Sequence, residues 1–231
     1  MINGLNILVV IPARGGSKGV KLKNLRKVGG IPIVELAARI ASKINYIDRI
    51  VVSTDHEEIA KTAIKGGADA PFRRPKNISG DRVSDFQVLL HSLLEIEKID
   101  NKTYGVVVML QPTSPLRSSK DVNAAIQTLF KGNFDSVWTV SETDKKYHPL
   151  KQLIFKNNIL DYYDQKGKEI IARQQLDKVY HRNGIAYVIR REILINDQAI
   201  MGKNSGACII EGEHVSIDTE EDFELVNSMF H

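Results

Sequence analysis

Val9-Val10-Ile11-Pro12-Ala13-Arg14-Gly15-Gly16-Ser17-Lys18-Gly19, running on to Lys23-Asn24, is the stretch that decides the fold. The apolar run before it, Leu5 to Ile11, ends at a proline. Continuous apolar runs of this length suit strands buried on both faces, as in the middle of a parallel sheet. The glycines that follow let backbone N–H groups approach oxygens closely, and successive N–H groups can form an anion-binding concavity. Arg14, Lys18 and Lys23 add charge-assisted donors. A buried strand opening into a cationic, glycine-rich loop is suited to phosphate. The spacing of Gly15, Gly16 and Gly19 fits neither G-x-x-x-x-G-K-[ST] nor G-x-G-x-x-G.

Outward from this loop the chain alternates. Pro32 sits at a helix start, with Ile33, Leu36, Ala37, Ile40, Ala41 and Ile44 at helical spacing. Ile50 to Ser53 is a second strand. Asp55 with Glu58 reads as a cap and its partner for a helix ending at Gly66-Gly67. Residues 70–80 are irregular. Phe86, Leu89, Leu90, Leu93 and Leu94 mark an amphipathic helix, and Tyr104 to Leu110 the most apolar strand. Gln111 to Arg117, with two prolines, must be loop. Val122 to Phe130 is helical, and Phe134 to Val140 is strand. His148 to Tyr163 alternates around Asn157-Asn158, which predicts a hairpin. Tyr187 to Ile189, Cys208 to Ile210 and Val215 to Ile217 read as strands, and Thr219 with Asp222 caps a last helix facing the core through Phe223, Val226 and Phe230. Strand–helix alternation argues for parallel pairing with right-handed crossovers. The expectation is an α/β, doubly wound, mostly parallel sheet in one domain, 1–231, with an inserted hairpin region at 142–180.

In such sheets ligands bind beyond the carboxyl ends of the strands. Arg14 to Asn24, Gln111 to Arg117 and Asp218 all fall there, so phosphate would sit on the first loop. Gln111 offers an amide to a base or sugar, and Asp218 is the best candidate for a metal held by carboxylate and phosphate oxygens. Arg173 is a natural partner for a substrate carboxylate.

The 231 residues, 42% hydrophobic and 26% charged, belong to an ordinary globular chain. A net charge of +4 suits small anions and is too weak to argue for nucleic acid. Cys208 is the single cysteine, which excludes an internal disulfide and a cysteine metal cluster. No apolar run approaches the ~18 residues of a membrane span. No basic region with a cleavage site precedes the first strand, so the expected location is cytoplasmic and no membrane partner is expected.

The run Ile11 to Gly19 with Lys23-Asn24 closely resembles the signature loop of the CMP-sialic acid synthetases, the acylneuraminate cytidylyltransferases. Leu110-Gln111-Pro112-Thr113-Ser114-Pro115-Leu116-Arg117 looks like their second signature. Arg173-Gln174-Gln175-Leu176-Asp177-Lys178-Val179-Tyr180, followed by Asn183-Gly184, is similar to their sugar-site region. The resemblance implies a Rossmann-like nucleotidyltransferase joining CTP to a nonulosonic acid, a nine-carbon acidic sugar of the sialic, legionaminic or pseudaminic type. It implies a homodimer and Mg²⁺ or another divalent cation. Ala13, Arg14, Gly15, Asn24, Arg74, Ser84 and Gln111 would bind the nucleotide, and Gln111, Lys151 and Arg173 the sugar. Lys151 and Arg173 would act across a dimer interface formed by the 142–180 region. Arg14, Lys23 and Asp218 would be catalytic, with Asp218 on the metal.

One position departs from the family pattern. Ser216-Ile217-Asp218 carries a serine where the family has its first aspartate, which leans the reading towards a non-sialic bacterial sugar. The alternatives are a synthetase for the eight-carbon sugar KDO, another sugar nucleotidyltransferase, or a non-catalytic nucleotide-binding module.

Overall fold

Successive residues of the first strand, β1 (Ile7–Pro12), belong to opposite cores. Ile7, Val9 and Ile11 lie in one buried cluster and Leu8 and Val10 in another, all fully buried. A strand apolar on both sides must be covered on both faces. The computed structural model describes residues 1–230 and shows how this is done.

After β1 the chain makes a small ribbon, β2 (Lys27–Val28) and β3 (Ile31–Pro32), then helix α1 (Ile33–Ser42), β4 (Arg49–Ser53) and α2 (Glu57–Lys65). Helix α3 (Asp85–Asp100), β5 (Val106–Met109), α4 (Ser119–Lys131) and β6 (Ser136–Glu142) follow. The hairpin β7 (Leu153–Lys156) and β8 (Ile159–Tyr162) precedes the long strand β9 (Tyr180–Arg190), α5 (Arg191–Ile195), β10 (Ser205–Ile209) and α6 (Glu220–Met229). The main sheet has the order β10-β6-β9-β5-β1-β4. β1 pairs in parallel with β4 and β5, and β10 in parallel with β6. β9 is antiparallel to both its neighbours. One face is covered by α1, α2 and α4 through Val34, Ile59 and Ile126 among others, the other by α3 and α5 through Leu89, Leu93 and Leu194. The architecture is the expected α/β, mostly parallel sheet.

Two local expectations fail. The N-cap of α2 is His56, whose ring nitrogen accepts from the Glu58 N–H; Asp55 instead accepts the Gly15 N–H at 2.8 Å. Its carboxylate serves the glycine loop in place of the helix. Val215 to Ile217 forms no strand; the Ile217 N–H donates to the Thr113 carbonyl at 2.8 Å, tying it to a loop. The predicted hairpin turn is present, with Asn157 and Asn158 both at positive φ, 53° and 60°. Asparagine tolerates that region, and two such residues make the tight turn that matches strand twist.

β9 is irregular where it meets β6. Trp138 pairs with Tyr187 but Val140 pairs with Arg182, so β9 carries extra residues opposite Thr139. The Thr139 hydroxyl fills the broken ladder, donating to the Ala186 carbonyl at 3.0 Å and accepting the Ala186 N–H at 2.9 Å. Bulges re-aim backbone beside functional sites. Here the bulge presents Asn183 and Gly184 to the loop after β5.

Candidate active site

The loop after β1 is fastened at several points. The Ala13 N–H donates to the Ser53 carbonyl at 2.9 Å at the end of β4. Gly15 lies against the His56 ring, where a Cβ would stand 2.9 Å from Cδ2, so only glycine fits. Asn24 is buried, and its amide donates to the Arg14 carbonyl at 2.9 Å, pinning the start of the loop to its end. Lys23 donates from Nζ to the Ile217 carbonyl and to Asp218 Oδ1, both at 2.9 Å.

The loop after β5 is built around a buried arginine. The Arg117 guanidinium donates to the carbonyls of Gln111 and Gly184, the latter at 3.3 Å. Burial pushes it down to about 9, which still leaves it protonated at neutral pH. Ser114 donates to the Asn183 carbonyl at 3.1 Å. Gln111 then projects its amide nitrogen towards Asp85 at 3.4 Å. With the bond from Ile217 to Thr113, the three polar segments form one connected rim.

This rim encloses a cleft of about 520 Å³ beyond the carboxyl ends of β1 and β5. Arg14, Asn24, Arg74, Lys23, Gln111 and Asp218 all line it. Arg74 is buried, donating from Nε to the Ser53 hydroxyl at 3.1 Å and also to the Ser53 carbonyl. Burial pushes it down to about 10, opposed by the nearby Asp55 carboxylate. Asp218 is 74% exposed and free to take a ligand on its open side. Ser216 is exposed and is not part of the cleft wall.

Other predicted residues lie elsewhere. Ser84 caps α3 reciprocally with Gln87, accepting its N–H at 3.3 Å, while its neighbours Val83 and Asp85 line the cleft. Lys151 and Arg173 are brought together, but away from the cleft, along a cavity of about 230 Å³ between the hairpin and the turns that follow it.

Three acidic residues were not marked as site residues by the sequence. Asp55 holds the Gly15 N–H. Asp81 bridges Arg14 and Lys18. Asp85 sits at the start of α3, its carboxyl pushed up by burial against the opposing pull of Arg182 and Arg74. No local pattern marks these roles, because the groups they face lie well outside one turn of chain, and the spacing of Asp55 to Glu58 suggests a cap that His56 supplies instead. Among the described residues no group of three or more His, Cys, Asp or Glu forms a metal cage. The exposed carboxylate of Asp218, facing a cationic cleft, fits a magnesium ion held largely by substrate phosphate, since this ion keeps few protein ligands.

A mostly parallel sheet with a phosphate-type loop after β1, and a polar cleft across two loop ends, is the arrangement of a Rossmann-like α/β nucleotide-binding fold. The solved structure of a CMP:2-keto-3-deoxy-manno-octonic acid synthetase complexed with CTP has the same fold, with a TM-score of 0.73, 16% identity, and 97% of this chain and 98% of that chain covered. The cytidylyltransferase family model matches residues 8–227, so the chain belongs to the cytidylyltransferase family and is an enzyme. A Campylobacter coli protein named post-translational flagellin modification protein B is 32% identical over 95% of this chain and 93% of its own length. The CMP-N,N'-diacetyllegionaminic acid synthase of Campylobacter jejuni is 31% identical over 95% and 93%. The pseudaminic acid cytidylyltransferase of the same species is 29% identical over 96% and 95%.

Proposed function

We propose that this cytidylyltransferase joins CTP to a nonulosonic acid of the legionaminic, pseudaminic or sialic type, giving the CMP-sugar and pyrophosphate. The observation that carries the reading is the convergence of Arg14, Lys18 and Lys23 with Gln111 and Asp218 around one cleft. It is supported by relatives named for this reaction over nearly the whole chain. The oxygen of the sugar's anomeric hydroxyl bonds to the α-phosphorus and its proton passes to water, while the bond from that phosphorus to the oxygen bridging the β-phosphate breaks and pyrophosphate leaves with the electron pair. Such a transfer needs positioning and charge neutralisation more than covalent work by the protein. Arg14 and Lys23 neutralise the triphosphate, and Ala13, Gly15, Asn24, Arg74 and Ser84 set the nucleotide. Gln111 stands between nucleotide and sugar. Asp218 would hold Mg²⁺, which when bound neutralises phosphate charge and lowers the pKa of a hydroxyl.

Two further points belong to the proposal. Lys151 and Arg173, remote from their own cleft, take the sugar carboxylate in the cleft of a second copy. The exposed hairpin side chains Phe155, Ile159 and Leu160 are the surface on which two copies meet. The reaction runs in the cytoplasm, where CTP is at hand. No helix of the described residues is long and apolar enough to cross a membrane.

The test is pyrophosphate release with CTP, Mg²⁺ and, in turn, N-acetylneuraminic, legionaminic and pseudaminic acids and KDO. Release with one of the nine-carbon acids is expected and names the substrate. Release with KDO alone, or silence with all four, overturns the reading.

A further inference from the structure

The carboxylate of Asp81 bridges two cations of the glycine loop. Oδ1 lies 2.6 Å from Arg14 Nη1, and Oδ2 lies 2.5 Å from Lys18 Nζ. All three residues line the cleft. Asp81 sits on the short connection between the turn Lys76–Ile78 and Ser84, the cap of α3. Both its oxygens are spent on the loop. The hydrogen bond from Lys18 holds the carboxyl below the usual range, so it is charged at neutral pH.

Arg14 and Lys18 belong to the loop whose glycines and cations suit phosphate. A bidentate carboxylate and a phosphate present the same chemistry to such donors: paired anionic oxygens. They cannot use the same donors together, because two anions that close repel. Long basic side chains lose rotamer freedom when fixed, and preorganising them in advance removes that loss from binding. Asp81 does this for Arg14 and Lys18 across a connection of only a few residues from α3.

We propose that Asp81 is a built-in counter-ion of the phosphate subsite, a positioning residue that holds Arg14 and Lys18 in place and is exchanged for the phosphates of the nucleotide. The inference rests on the nucleotide reading of the loop given above. Exchange of one anion for another keeps the two cations neutralised at every stage. Because both carboxylate oxygens occupy the donors that phosphate needs, this competition outweighs the rotamer saving, so the net grip on the triphosphate and on the pyrophosphate product is weaker and the product leaves faster. Asp81 is thus expected to raise KM for CTP and to raise kcat together.

The experiment compares wild type with Asp81→Asn and Asp81→Glu by calorimetry, using inorganic tripolyphosphate in magnesium-free buffer and cytidine as the phosphate-free control. Melting temperatures confirm that the variants are folded, and Asp81→Ser replaces Asp81→Asn if that variant is not. Asp81→Asn should bind tripolyphosphate roughly three- to tenfold tighter, the range two partly exposed ion pairs can supply. Cytidine binding should not move, and Asp81→Glu should resemble wild type. With CTP and the active sugar, Asp81→Asn should lower KM and kcat together, a split that mere loosening of the loop does not give. Equal or weaker tripolyphosphate binding in Asp81→Asn overturns the proposal and leaves the nucleotide reading standing. Tighter tripolyphosphate binding in a protein silent with every sugar supports it and overturns the proposed reaction. Wild type that binds neither tripolyphosphate nor CTP overturns both.

Discussion

A β carbon added at Gly19 would stand 2.6 Å from the main-chain carbonyl oxygen of Asp218. The phosphate-type loop and the segment bearing the candidate metal ligand therefore touch through backbone, with no side chain free to give way. Gly19→Ala must push them apart. A displacement near 1 Å in a positioned site is worth about 10²-fold in rate. The expected result is a fall of roughly that size in kcat/KM for pyrophosphate release, with a melting temperature lowered by a few degrees at most. Unchanged kcat/KM would show that the contact does not set the site.

Asp218 is mostly exposed, and among the described residues its side chain pairs with Lys23. Asp218→Asn keeps the shape and removes the charge that a hard cation needs. Turnover should drop by about two orders of magnitude or more, a typical scale for losing one group that stabilises charge in the transition state. The melting temperature should fall by a few degrees at most, because the pair is open to solvent on the Asp218 side and Lys23 keeps its bond to the Ile217 carbonyl. Titrating Mg²⁺ checks the cause: the variant should need far more metal for half-maximal rate. Wild-type metal dependence in Asp218→Asn would remove this residue from the metal site.

Ser84 has a structural duty whatever else it does. Its hydroxyl accepts the Gln87 N–H, and the Gln87 amide oxygen accepts the Ser84 N–H at 3.1 Å. Ser84→Ala should cost about 1 kcal/mol, as lost caps do, which is about 2–4 °C in a chain of this size. Ser84→Asp, an equally good cap, should restore the melting temperature. If the hydroxyl also contacts nucleotide, KM for CTP will rise in both variants, so thermal melts and kinetics separate the two duties.

Lys151 and Arg173 share a cavity that the main cleft does not reach. If each copy completes its neighbour's site, Lys151→Ala and Asp218→Asn are defective in different halves of one active site. Each alone should be nearly inactive. Mixed and re-equilibrated in equal amounts, they should recover about a quarter of wild-type activity, since half the dimers are mixed and each holds one intact site. No recovery, in a mixture shown by mass measurement to exchange subunits, would place both residues in the cleft of their own chain or outside the reaction.

Much of this molecule can be read in its local patterns. The apolar run into Pro12, the helical spacing of Ile33 to Ala41, and the capping pair Thr219–Asp222 all act within a few residues. Asn157-Asn158 fixed a turn for the same reason. Asp55 shows the limit of such reasoning. Its spacing to Glu58 suits a cap, but a partner 40 residues upstream, Gly15, claims its carboxylate. Val215 to Ile217 has strand composition, yet it pairs with no strand, and the Ile217 N–H goes to the Thr113 carbonyl in a loop.

The sequence by itself determined the alternation of elements, the position of the cationic loop and the family, because these depend on periodicity, turn chemistry and contiguous motifs. Only the tertiary structure decided that β9 runs antiparallel between β5 and β6, and that its bulge brings Gly184 under Ser114 and Gln111. It alone decided that Asp81 meets Arg14 and Lys18, and that Asp218 meets Lys23. Each of these joins residues far apart in the chain. An ion pair or a bulge contact depends on distance in space, and that distance is set when the two buried faces of the sheet are covered.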